Sequence, residues 1–269
     1  MPYTRDSGQV SQYRAIGNMC IALFAISSVE DYPLVVLSNR DEFFSRPTSP
    51  AHFWEDFPHI LGGRDEVHGG SWMGLTTRGR FCLVTNVRDP SRSQDKRSRG
   101  ELVKVFLTEE MSAEEFFLFL KGQGEAFNPF NMVFGNGGRL YYFSNYYNEL
   151  IRLERGIYVL SNGHLFAQWP KCIRLRELFL ETVGGEGWEV EDLFAILRDS
   201  TSFPIYMLPD TGVGHVLEKF LSPIFIEGRD YGTRTSSVVI YERERIRFFE
   251  RTYNNLAQVV CERDFCIFL

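Results

Sequence analysis

Residues 19–42 place reactive side chains at the ends of two apolar runs. Met19-Cys20 opens the first, CIALFAIS (20–27), and the second, PLVVLSN (33–39), leads into Asn39, Arg40, Asp41 and Glu42. VEDY lies between them and reads as the turn of a hairpin. A turn centred near residue 30 makes residue i face residue 60 − i, so Cys20 lies across from Arg40 to within one or two positions. A thiol then meets an arginine and two carboxylates, a set that charge-assisted hydrogen bonds can hold in a fixed geometry. The chemistry open to such a group is nucleophilic attack by sulfur.

Two further apolar runs, FCLVTN and IYVLSN, end on Asn86 and Asn162. An asparagine after a strand is ordinarily a turn former. If these ends converge near Cys20, their amides become candidate donors to an oxyanion. Arg234, at the start of the strand in YGTRTSSVV, is a further candidate. A histidine base is not indicated: none of His52, His59, His68, His164 and His215 sits at a strand end with a carboxylate close in sequence. One mechanism needs no histidine. A nucleophile that is the first residue of its mature chain can use its own α-amine as base, with an ordinary pKa of about 7.7–8.0. The expectation is that the functional chain starts at Cys20.

The elements that must position these residues are legible from pattern. SWMGLTT and RFCLVTN flank Arg78-Gly79; FNMVFG and RLYYFSN flank Asn136-Gly137-Gly138; TSSVVIYE and RIRFFERTY flank Arg243-Glu244. All three read as hairpins. Helices are expected over 98–107, 112–122, 170–183 and 190–200, with Ser112 and Glu115 forming a capping box and Pro170 in a first turn. Segment 210–225 fits neither period. Hairpins with helices grouped between them imply an α+β fold with largely antiparallel sheets.

Composition bounds the function. The chain has 269 residues, 44% of them hydrophobic, enough for one sizeable core. A net charge of -6 argues against general nucleic-acid binding. No apolar run is long enough to span a membrane, and residues 1–18 lack the apolar stretch of a secretory signal. The five cysteines, Cys20, Cys82, Cys172, Cys261 and Cys266, are widely spaced, without a C-x-x-C pair. Reduced thiols, a cytoplasmic location and no zinc site are expected, with the cysteines in apolar contexts acting as small core residues.

MCIALF, SNRDEFFSRP, GGRDEVHGGSWMGLTTRGRFCLVTNVRDP, SRGELV, IYVLSN with WPK, LPDTGVG, LSPIFI and YGTRTSSVV with FFERTY occur in this order. The sequence thereby resembles the NRDE family, which includes transport and Golgi organisation protein 2 of animals and many bacterial members. The resemblance runs from Met19 to about residue 254. It implies residues 1–18 as an extension, propeptide or tag ahead of a single domain, 19–269. The family is in turn similar to the N-terminal nucleophile hydrolases of the penicillin acylase and bile-salt hydrolase type. That similarity implies a four-layer αββα sandwich and cleavage of a small non-peptide amide without a cofactor. In that assignment Cys20 is the nucleophile, Arg40 with Asp41 or Glu42 orients the thiol and amine, Asn86 and Asn162 hold the oxyanion, and Arg234 matches a further arginine.

The rival expectation is a haem carrier without hydrolytic activity, because relatives are implicated in haem trafficking. His68 and His164 are the candidate iron ligands, and the basic run RDPSRSQDKRSRG (88–100) could meet propionates or another anion. GGRDEVHGG fits neither phosphate-loop spacing. A third expectation is a degenerate hydrolase fold acting as an interaction module, for which Cys20→Ser would be silent.

Overall fold

The computed structural model describes residues 19–92, 94–185 and 187–269. The expected extension at 1–18 therefore lies outside the described residues. Two sheets stack between helices. The first has six strands in the order β10 (Gly156–Leu160), β1 (Met19–Val29), β2 (Tyr32–Phe43), β11 (Tyr231–Tyr241), β12 (Arg245–Tyr253), β13 (Val259–Phe268). The second has seven in chain order: β3 (Thr48–Phe53), β4 (Ile60–Asp65), β5 (Met73–Thr76), β6 (Arg80–Asn86), β7 (Phe130–Asn136), β8 (Arg139–Ser144) and β9 (Glu149–Leu153). The strand pairings within both sheets are antiparallel.

Alternation along β1 sets the layers. Ala22, Phe24 and Ile26 face the second sheet and meet Phe81, Leu83 and Val133. Ile21, Leu23 and Ala25 face the other way, onto Leu175 and Phe179 of α3 (Pro170–Gly184) and Leu193 of α4 (Val190–Leu197). A strand buried on both faces reads as an unbroken apolar run, which is why CIALFAIS carries no polar alternation. The second sheet turns Cys82, Val84 and Phe134 outward against α1 (Gly100–Thr108) and α2 (Ala113–Gln123), through Leu102, Phe106 and Phe116. The result is the expected αββα sandwich. Each large apolar side chain taken from water in these layers contributes about 1.5–3 kcal/mol.

The Ser112–Glu115 capping box forms as read, with Glu115 N donating to Ser112 Oγ at 3.1 Å and Ser112 N to Glu115 Oε2 at 2.8 Å. Pro170 begins α3. The helix expected from 98 starts at Gly100, because its lead-in is held by a close approach of two glycines. A Cβ on Gly70 would lie 2.4 Å from the Gly100 carbonyl carbon, and Ser71 N donates to Gly100 O at 3.1 Å. The unplaced segment 210–225 contains a short helix, α5 (His215–Phe220), preceded by Gly212 and Gly214, both at φ +84°. Its Leu217 packs with Leu221, Ile226 and Tyr231. Cys20, Cys82 and Cys172 are buried, but Cys261 is only partly buried and Cys266 is exposed on β13. All five cysteines are free.

Candidate active site

The β1–β2 ladder sets the site. Cys20 pairs directly with Arg40, as the turn position predicted, and Met19 pairs with Asp41. Side-chain parity then divides the polar quartet. Arg40 shares the Cys20 face, toward the second sheet, while Asn39 points to the helical layer. There Asn39 Nδ2 donates to Leu197 O at 2.8 Å and Ile224 O at 2.9 Å, and its Oδ1 accepts from Ser236 Oγ at 2.6 Å. Asn39 is thus a strap between sheet and helix.

Arg40 is buried beneath Trp72, its guanidinium carbon 4.3 Å from the ring centroid. Its Nη2 lies 3.3 Å from Glu42 Oε2, while Nε and Nη1 have no partner among the described residues. Glu42 also accepts from Phe43 N at 2.8 Å, so it fixes the end of β2 and Arg40 together. Asp41 accepts from Thr233 Oγ1 at 2.6 Å, and its Oδ2 is unpaired. Burial pushes its carboxyl up to about 6, against the pull of Lys171.

Continuing the β1–β10 register by two residues brings Asn162 beside Cys20. Ser161 Oγ donates to Cys20 O at 3.0 Å. Asn162 Nδ2 donates to Asn86 O at 2.9 Å, and Arg88 N donates to Asn162 O at 2.8 Å. The two strand-end asparagines therefore converge as expected but with different duties. The Asn162 amide is spent in joining the two sheets, whereas the buried Asn86 Nδ2 is without a partner and Asn86 lines a cavity over Cys20. Arg234 does not reach that cavity. It is the extra residue of a bulge in β11, and its Nη1 donates to Phe43 O at 3.2 Å and Arg46 O at 2.5 Å.

The cavity has a volume of about 200 Å³ and is lined by Cys20, Arg40, Trp72, Asn86 and Arg99, among others. The Cys20 thiol is pushed up to about 12, first by burial and then by Asp41, with Arg40 opposing. A base must be held against it for sulfur to attack at neutral pH.

Several residues escaped the sequence reading. Lys171, second in α3, is buried and donates to Leu221 O at 3.1 Å; burial lowers its pKa. Arg88 and Glu218 form a buried ion pair at 2.5 Å, and Glu218 Oε1 accepts from Thr211 N at 2.9 Å. Lys171 belongs to WPK and Arg88 opens the basic run 88–100, and nothing in either motif marks its charge as buried. Glu250, from FFERTY, is buried with Ala51 N donating to it at 2.6 Å.

Burial raises Glu250 from an ordinary value of 4.5 to about 7, opposed first by the hydrogen bonds from Ala51 and Ser237 and then by Arg40 and Arg263. The native chain therefore holds this proton more tightly than the unfolded chain, and stability is lost as pH rises from 4.5 through 7. Glu250→Gln, neutral at every pH, is expected to leave stability near pH 4 unchanged and to raise it by about 3 kcal/mol at pH 8. Thermal melts of both chains across pH 4–8 check this, and parallel curves would refute it.

Comparisons with known proteins agree with this architecture. The family model for Transport and Golgi organisation 2 matches residues 19–255. The bovine Transport and Golgi organization protein 2 homolog is 32% identical over 261 residues, covering 87% of this chain and 93% of that one. The mouse homologue is 32% identical over 256 residues, with the same coverage. Among solved structures, the Caenorhabditis elegans N-acylethanolamine-hydrolyzing acid amidase ortholog superposes with a TM-score of 0.50 at 11% identity, covering 82% of this chain and 92% of that one. At that identity the likeness speaks for the fold, that of the N-terminal nucleophile hydrolases. Among the described residues, no helix is long and apolar enough to cross a membrane. With a family model spanning most of its length and relatives a third identical along nearly all of theirs, the chain belongs to the Transport and Golgi organisation 2 family.

Proposed function

We propose that this protein is a cysteine-dependent hydrolase of a small non-peptide amide, working from a chain that begins at Cys20. The observation that carries the reading is the position of the Cys20 thiol. It lines a cavity, with Arg40 directly across the ladder and the unspent Asn86 amide on the same lining. Cleavage before Cys20 creates an α-amine beside Asp41, whose Oδ2 is free to hold it. That amine takes the thiol proton, and sulfur adds to the amide carbonyl carbon. The oxyanion accepts from Asn86 Nδ2. The carbon–nitrogen bond then breaks, and the leaving nitrogen takes the proton held by the α-ammonium. Water adds to the thioester carbonyl, the carbon–sulfur bond breaks, and the acid leaves with sulfur reprotonated. Asn162 and Arg234 act on this scheme as positioning residues, through the strand ends they tie together.

The haem-carrier reading has one observation in its favour, His68 on the cavity lining. The volume of about 200 Å³ is small beside the roughly 300–1,000 Å³ of ordinary cofactor sites. His164 is occupied by Glu149 at 2.7 Å. Hydrolysis is therefore the better-supported reading.

The test is intact mass and N-terminal sequencing, followed by turnover of a panel of small amides. A chain beginning at Cys20 is expected to hydrolyse at least one of them, and the same chain retaining residues 1–18 is expected to hydrolyse none. Equal turnover by both forms would refute the α-amine as base.

A further inference from the structure

We propose that the cavity over Cys20 selects a ligand bearing an anionic group, a carboxylate or its equivalent, and that Arg99 reads that group. The inference rests on the hydrolase reading and narrows its substrate class to small anionic amides. Five cations line the cavity, Arg40, Arg46, Lys96, Arg97 and Arg99, against one acid, Asp65. Asp65 is already consumed, accepting from Arg46 Nε at 3.1 Å and Nη2 at 2.7 Å. Arg97 pairs with Glu101, and Lys96 Nζ donates to Glu125 O at 2.8 Å. Arg99 differs from these. Its Nη1 donates to Pro129 O at 3.1 Å, and no carboxylate among the described residues pairs with it. Arg99 as a whole is half-buried, and burial of its guanidinium lowers its pKa to about 10, against the pull of Cys20 and Glu42.

The unpaired buried atoms on the lining point the same way. They are Arg40 Nε, Arg40 Nη1 and Asn86 Nδ2, and all three are donors. One amide carbonyl supplies a single acceptor atom and leaves donors over. A carboxylate supplies two more acceptor oxygens and the missing negative charge. Arg99 also occupies the N-cap position of α1, with no capping hydrogen bond from its side chain, where the helix dipole favours an anion. The Gly70–Gly100 contact fixes that N-terminus against the turn before β5, so the charge is held in place rather than carried on a loose loop. The SRG and HGG motifs gain a purpose here: the glycines let helix and turn close together, and the arginine between Ser98 and Gly100 faces the space they leave.

The test compares iodoacetate with iodoacetamide as alkylating agents for Cys20, read by peptide mass spectrometry. The iodoacetate-to-iodoacetamide rate ratio is normalised to that of the same cysteine in the urea-unfolded chain. A cationic cavity is expected to raise the normalised ratio about tenfold, the low end of what a focused field adds. Arg99→Gln is expected to remove most of the rise, Arg99→Lys to retain it, and 0.5 M salt to blunt it only partly. A normalised ratio near one in the folded chain would overturn the proposal, and so would an Arg99→Gln chain that is folded and keeps the full preference. Failure of both reagents to modify Cys20 would overturn it as well, since no ligand then reaches the thiol. Alkylation needs neither a free α-amine nor turnover. A chain that prefers iodoacetate but hydrolyses nothing refutes the hydrolase reading alone, and a working hydrolase without the preference refutes only the anion.

Discussion

Cys20→Ala is expected to abolish amide turnover, by at least about 10³-fold in kcat, while the chain stays folded. Sulfur is the only protein atom in the proposed scheme that bonds to the acyl carbon, so no neighbour can take its place. The structural cost is small. Cys20 is 4% exposed and packs at a strand end, and losing one buried sulfur costs roughly 1 kcal/mol. Activity and unfolding must therefore separate: turnover vanishes and the denaturation midpoint moves little. Cys20→Ser gives a finer reading. A hydroxyl at this position is a poorer nucleophile, so a partly active or inactive serine chain fits catalysis. A serine chain with undiminished function in cells would instead point to an interaction module that merely inherited the fold.

Glu218→Ala is expected to destabilise the chain by about 3–5 kcal/mol, the cost of leaving a buried charge alone. Arg88 and Glu218 are each 2% exposed and lie 2.5 Å apart. Removing the carboxylate strands the Arg88 guanidinium, whose pKa burial already lowers, and frees the Thr211 amide and hydroxyl that Glu218 Oε1 accepts. Adding Arg88→Met should restore much of the loss, because it removes the uncompensated charge along with the pair. Urea unfolding of the single and double variants measures both. A loss under about 1 kcal/mol for Glu218→Ala would mean that water reaches the pair.

The first hairpin was legible because its register is arithmetic. The two-residue turn Glu30-Asp31 alone would set Cys20 across from Asp41, and a bulge between Ile26 and Val29 shifts the ladder by one, so Cys20 falls on Arg40, inside the one or two positions that the turn position allowed. The α+β class was legible because the apolar runs of both sheets are long and the helices have clean periodicity, whereas the αββα layering was implied by the family resemblance. β3 and β4 were not: TSPAHF contains a proline and ILGGRD two glycines, and neither alternates. α5 was hidden by its brevity and by flanking glycines. The outer strand β13 carries Glu262, Arg263 and Asp264 in its middle, which interrupt any apolar run. At the site, sequence marked Asn86 and Asn162 as candidates should their strand ends converge, and could not say which amide is free. That depends on a contact between two sheets, Asn162 to the Asn86 carbonyl. Arg99, Lys171 and Arg88 share a different reason. A cation in a basic run or in the first turn of a helix carries no mark of its depth, and only the fold shows that Lys171 and Arg88 are enclosed and that Arg99 lies on the cavity wall.

The Met19–Asp41 pairing limits when the chain can be trimmed. A protease binds its target as an extended, unpaired strand, and the bond before Cys20 lies inside a ladder that has already closed. An external enzyme must then act before β1 docks between β2 and β10, during synthesis or early folding. The alternative is that the finished fold cuts itself. Adding a trimming protease to fully folded precursor and to precursor caught while refolding would tell the two histories apart, because only the second should yield to an outside enzyme.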